Sequence, residues 1–249
     1  MGGGRIAGVW VPYCGEAPVP AEWLARWNFD PLLLAAFAAA ATLWYWRSGS
    51  TREQALPFAA GRAVLAVLFV SPFCALTSAL FAARAAHHAV LIAAAAPLLV
   101  WALPAPALGR GVPISLWTGL HALVLWGWHY PPLYAAALGS DAVYWLMQAT
   151  LLGTAVAFWA AVRRSSVAAA VAALLATMVQ MGLLGALITF AGKPLYAPHL
   201  LSTAAWGLSP LEDQQVAGLI MWAPAAAIYL AAALLIAGRW LRDEARPAA

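Results

Sequence analysis

Charge is what this sequence has least of. Asp, Glu, Lys and Arg make up 9% of its 249 residues, against about 25% in an ordinary soluble domain, and that scarcity excludes a water-soluble globule. Cysteine is nearly as rare: Cys14 and Cys74 are too few for the disulfide framework of a small secreted scaffold. The chain also lacks a glycine-rich phosphate loop, paired carboxylates inside an apolar run, and a serine, histidine and aspartate that its pattern would bring together. No catalytic engine is visible, and the chain reads as a non-enzyme. At the N-terminus, MGGGRIAGVWVPYC carries one arginine and a short apolar run. Proline and tyrosine interrupt that run and no small-residue cleavage site follows, so it does not read as a signal peptide.

What the chain has instead is hydrophobic length: 65% of it is apolar and its mean hydropathy is +0.81. A membrane-spanning helix needs about 20 apolar residues to cross about 30 Å of hydrocarbon. Runs bounded by Pro, Gly and charge predict helices at residues 31–46, 58–81, 87–103, 114–129, 141–162, 167–190 and 214–237. The expected fold is all-α, a polytopic transmembrane bundle of about seven spans. Residues 1–29 form an extracytoplasmic tail, 30–238 the transmembrane domain and 239–249 a cytoplasmic tail. Asp30-Pro31 and Ser209-Pro210-Leu211-Glu212 supply helix starts, the second as a capping box. Pro72, Pro97 and Pro224 fall inside predicted spans and predict kinks. Alanine-rich stretches favour close helix packing.

Taking the loops in turn, one side of the membrane receives Arg47, Arg52, Arg62, Arg110, Arg163, Arg164, Arg239, Arg242 and Arg246. The other receives Arg5, Arg26, Arg84 and Lys193. By the positive-inside rule the N-terminus lies outside and the C-terminus in the cytoplasm. The pI near 9.4 is therefore topology rather than a sign of nucleic-acid binding; the surroundings are membrane lipid, and the fourteen Trp suit interfacial belts.

Function must come from polar and soft side chains left near the spans. His87 and His88 open the third predicted span, His129 ends the fourth and His199 lies in the sixth loop, all on the outer side. His121 sits about 12 Å deeper than His129. Met147, Met178, Met181, Met221 and Cys74 share the outer bias. Imidazole, thioether and thiol suit Cu(I), and Asp213, a harder ligand, shares a helical face with Met221. An outward-opening copper site built from His88, His129 and a Met is geometrically possible. Each residue also has a plainer role: an interfacial histidine as a hydrogen-bonding group, a methionine as core filler, Glu212 as a cap, Asp213 and Gln214 as first-turn polar residues, Arg84 as a snorkelling cation. A bis-histidine haem would need a partner for His121 at its depth, and none is apparent.

Four segments carry a resemblance: WNFDPLLL at 27–34, SPFCALTSALFAARAAHHAVLIAAAAPLL at 71–99, WGWHYPPLYAAAL at 126–138 and GLSPLEDQQVAGLIMW at 207–222. The chain resembles the CtaG-type cytochrome c oxidase assembly factors, polytopic bacterial membrane proteins associated with maturation of haem-copper oxidases. The resemblance implies that His88 and His129 are the family histidines of spans three and four. It also implies that Asp213, Gln214, Gln215 and Met221 form the last-span motif. It further implies a histidine four residues before His88 and a histidine pair early in span five; this chain has Arg84, Tyr144 and Gln148 there.

The expected function is that of a non-enzymatic assembly factor in the bacterial plasma membrane, handling or positioning copper as Cu(I) at the outer face. Its metal-site candidates are His88, His129, His87 as a substitute ligand, Met221 and Asp213. Its expected partner is a haem-copper oxidase subunit or the copper donor. A copper transporter, a haem- or quinone-binding redox protein and a purely structural partner of the oxidase are the alternatives.

Overall fold

A computed structural model describes residues 4–6, 9–48, 52–103 and 111–245. A short antiparallel hairpin, β1 (Gly4–Ile6) with β2 (Val9–Val11), begins the chain. Helices follow: α1 (Pro31–Ser48), α2 (Arg52–Phe69), α3 (Phe73–Ala79), α4 (Phe81–Trp101), α5 (Ile114–His129), α6 (Pro131–Leu138), α7 (Asp141–Arg164), α8 (Val167–Thr189) and α9 (Pro210–Glu244).

The local start signals work as their chemistry requires. Asp30 Oδ1 accepts from the amides of Leu32 at 2.7 Å and Leu33 at 3.1 Å, and Pro31 occupies a first-turn position whose missing donor costs nothing. Ser209 and Glu212 form the reciprocal capping box that opens α9. The bond from the Leu33 amide is the main cause holding the Asp30 carboxyl below its ordinary value of 3.8. A depressed folded value means that the cap contributes fully above the unfolded value and is lost as pH falls through the folded one. Asp30→Ala is expected to cost about 1 kcal/mol. In thermal melts of detergent-solubilised protein, its difference from wild type should shrink below the ordinary carboxylate value and stay constant above it.

Proline breaks the helices in two ways. At Ser71-Pro72 the chain bends by 43° between α2 and α3, so the predicted 58–81 span is two helices. Before Pro97 and around Pro224 the helix instead widens into π turns, Leu91–Ala95 and Met221–Ala225. This relieves the ring's clash with the preceding turn and leaves carbonyls in need of donors. Trp159 Nε1 donates to Ile92 O at 2.9 Å, within the first of these π turns.

Among the described residues four helices, α4, α7, α8 and α9, are long and apolar enough to cross a membrane, or five if the bent α2–α3 pair is one span. The sequence predicts about seven. Part of the difference is α1, whose apolar run is short, and the 16-residue α5, after which the chain turns at Tyr130 into α6. Boundaries also move. The third span begins at Phe81 rather than 87, and the last continues to Glu244, through residues assigned to a tail.

The N-terminal segment is not loose. A disulfide joins Cys14 to Cys74 on α3, with Cα atoms 5.4 Å apart. Tyr13 stacks on Tyr144 with ring centroids 5.1 Å apart, and Trp206 Nε1 donates to Pro18 O at 3.0 Å. Residues 12–30 therefore pack against α3, α7 and the loop before α9.

Candidate functional site

Helices α4, α5, α8 and α9 converge below this packed end. Their meeting point is a narrow gap bounded by His88, His129, Met181 and Met221 and otherwise by alanine and aliphatic side chains. It is too tight for a water molecule. The rings of His88 and His129 lie 5.7 Å apart at 82°, and all four polar or soft residues are 4% exposed or less.

The hydrogen bonding decides what these side chains can do. His129 Nδ1 lies 2.8 Å from Leu125 O. A carbonyl only accepts, so Nδ1 carries the proton and Nε2 keeps its lone pair, the state required of a metal ligand. Neither ring nitrogen of His88 has a protein partner. Two imidazoles and two thioethers form a soft donor set suited to a monovalent, weakly hydrated cation such as Cu(I). Among the described residues no group of three His, Cys, Asp or Glu is placed to hold a metal, so any such site here depends on the methionines.

Surrounding contacts fix the donors. Gly185 on α8 and Gly218 on α9 meet backbone to backbone, which brings together the helices carrying Met181 and Met221. Tyr196 Oη donates to His129 O at 2.9 Å. Gln214 accepts from the Leu195 amide at 2.7 Å and donates to Ile188 O and Lys193 O, binding the loop after α8 to α9. Asp213 is fully buried, and its two oxygens accept from the amides of Phe81 at 2.7 Å and Ala82 at 3.1 Å. It caps α4 from a distance.

The sequence-predicted residues thus separate. His88, His129 and Met221 come together. His87 lies 5.8 Å from His88, ring to ring, but does not line the void; it packs on Phe69 at 4.9 Å. Asp213 is placed on the first turn of α4. Cys74, expected among the soft ligands, is in the disulfide. Arg84, expected to snorkel, is completely buried, because α4 starts one residue after Leu80 and carries Arg84, His87 and His88 inside the bundle. His121 Nδ1 lies 3.2 Å from Thr154 Oγ1 and its ring packs on Phe158, while His199 Nε2 lies 2.6 Å from Tyr134 Oη. Met181 is the ligand candidate that sequence reading did not separate from Met178. On a helix apolar all round, nothing local marks the inward face. The positions at which the resemblance implies further histidines also meet: Arg84 Nη1 reaches Tyr144 Oη at 3.5 Å, and Gln148 lies one turn along from Tyr144.

These features define a multi-pass helical membrane protein with a buried imidazole–thioether cluster near one end. The model of the cytochrome c oxidase caa3 assembly factor family (Caa3_CtaG) matches residues 35–243, and the chain belongs to that family. Comparisons with curated proteins and with solved structures found no match.

Proposed function

We propose that this assembly factor holds Cu(I) as cargo between His88, His129, Met181 and Met221. It receives the ion from a copper donor or presents it to a haem-copper oxidase subunit. The single observation that supports this reading is that two imidazole side chains and two thioethers, carried by four different helices, line one gap too tight for water. In this reading Asp213 and Gln214 hold the helices that carry the ligands, and His87 flanks the site. The arginine asymmetry supports seven crossings of the bacterial plasma membrane with the N-terminus outside, which puts the cluster near the extracytoplasmic face. A transporter would need soft ligands continuing toward the opposite end; the four donors here are gathered at one.

Anaerobic Cu(I) titration of the detergent-purified protein against a chromogenic chelator is expected to give one tightly held ion. Affinity should fall by about 100-fold or more in His88→Ala/His129→Ala, exceeding the usual loss for a residue that merely supports a ligand. Met181→Leu/Met221→Leu conserves volume and should weaken Cu(I) binding without lowering the melting temperature much. Equal stoichiometry and affinity in wild type and both variants would sink the assignment.

A further inference from the structure

Arg84 presents a separate problem. It is completely buried, its Nε and Nη2 have no hydrogen-bond partner, and the guanidinium otherwise meets phenols, Tyr144 Oη at 3.5 Å from Nη1 and the Tyr134 hydroxyl close by. The guanidinium carbon lies 5.3 Å from the Tyr144 ring centroid, so the cation rests against an aromatic ring instead of a carboxylate. Among the described residues no acidic side chain lies within 4.0 Å of it. Both oxygens of Asp213 are committed to the start of α4. Arginine does not shed its proton in a protein, and a buried unpaired charge costs several kcal/mol.

The groups around it share the same lack. Both ring nitrogens of His87 and both amide atoms of Gln148 are buried without a well-formed hydrogen bond; the nearest polar groups to the Gln148 amide are the His87 ring and the Tyr144 hydroxyl, which interact with it weakly. Arg84 and His87 are three residues apart on α4, and Tyr144 and Gln148 four apart on α7, so each pair projects from one face of its helix. Cys14 Sγ lies 3.6 Å from Tyr144 Oη, so the disulfide-anchored N-terminal segment closes the cluster from the other side. The inventory is donor-rich: guanidinium N–H groups, a phenol O–H, a carboxamide NH2 and an imidazole N–H, around a fixed positive charge. A metal cation would be repelled by that charge. An anion would both neutralise it and take up the unpaired guanidinium, carboxamide and imidazole donors, and the Tyr144 O–H can turn to it from the disulfide sulfur.

We infer that Arg84, His87, Tyr144 and Gln148 form a binding site for a small inorganic anion, of which chloride suits the complete burial best. The site is distinct from the void between His88, His129 and the methionines, and it stands whether or not that void holds copper.

Full-length protein in detergent, exchanged into sodium gluconate, is titrated with sodium chloride or bromide at constant ionic strength while thermal unfolding is followed. A saturable rise in melting temperature is expected with both halides. Gln148→Leu and Tyr144→Phe keep the cation but each remove a bond to the anion. Each should raise the half-saturating concentration by about tenfold, and Arg84→Gln should abolish saturation. If Arg84→Gln does not fold, the other two variants carry the test, because half-saturation reads binding rather than baseline stability. Identical melting of the wild type in chloride and gluconate would overturn the inference. So would wild-type half-saturation in both Gln148→Leu and Tyr144→Phe.

Discussion

Asp213→Ala is expected to destabilise the protein by about 2–6 kcal/mol, because it leaves two buried amides unsatisfied at about 1–3 kcal/mol each. Two effects add. The amides of Phe81 and Ala82, at the N-terminal end of α4, lose their only acceptor in a place water does not reach. The negative charge that complements the helix dipole there is lost as well. Asp213→Asn keeps one acceptor oxygen and should fall between wild type and Asp213→Ala. Melting temperature and protease resistance of the purified variants check the order. A pure ligand role for Asp213 predicts unchanged apo-protein stability with weakened Cu(I) binding. Near-native melting of Asp213→Ala would therefore refute the capping role.

Gly218→Ala should be the next largest loss. A Cβ at Gly218 would lie 2.5 Å from Gly185 O and 2.7 Å from Thr189 N, and would collide with Thr189 Oγ1; one at Gly185 would lie 2.6 Å from Gly218 O. Most of these neighbours are backbone, which no rotamer change can move, so α8 and α9 must separate. Overpacking of this kind costs about 1–3 kcal/mol, occasionally more. Here it also pulls Met181 away from Met221, so the proposed Cu(I) site should lose affinity even in the fraction that folds. Gly153→Ala is the control: a Cβ there meets nothing within 4 Å, and the change should be neutral or stabilise by up to about 1 kcal/mol. If Gly218→Ala and Gly153→Ala melt alike, the close crossing of α8 and α9 is not a constraint.

Much of the helical layout is written locally. The starts of α1, α5, α7 and α8 agree with the sequence reading because Pro, Ser or Asp stands at each, and Asp30 and Ser209 act as caps through their own side chains. The start of α4 shows where local reading stops. SALFAARAAHH holds no glycine, proline or capping residue at the turn, and the break is one extended residue, Leu80. The cap comes from Asp213, 132 residues away. Those two tertiary bonds, to the amides of Phe81 and Ala82, cap a helix start that carries His87, His88 and Arg84 inside the bundle.

By itself, the sequence determined that this is an apolar helical membrane protein, placed its imidazoles and thioethers, and carried the segments that resemble the assembly factor family. Tertiary structure alone decided which of those side chains meet. It selected Met181 over Met178, set Asp213 on a helix start, joined Cys14 to Cys74, and left Arg84 buried among unpaired donors. The physical reason is that hydropathy sets the length of a membrane helix but hardly its rotation. When every face is apolar, the inward face is chosen by where backbones can approach, as at Gly185 and Gly218, and by which buried polar groups find partners across the bundle.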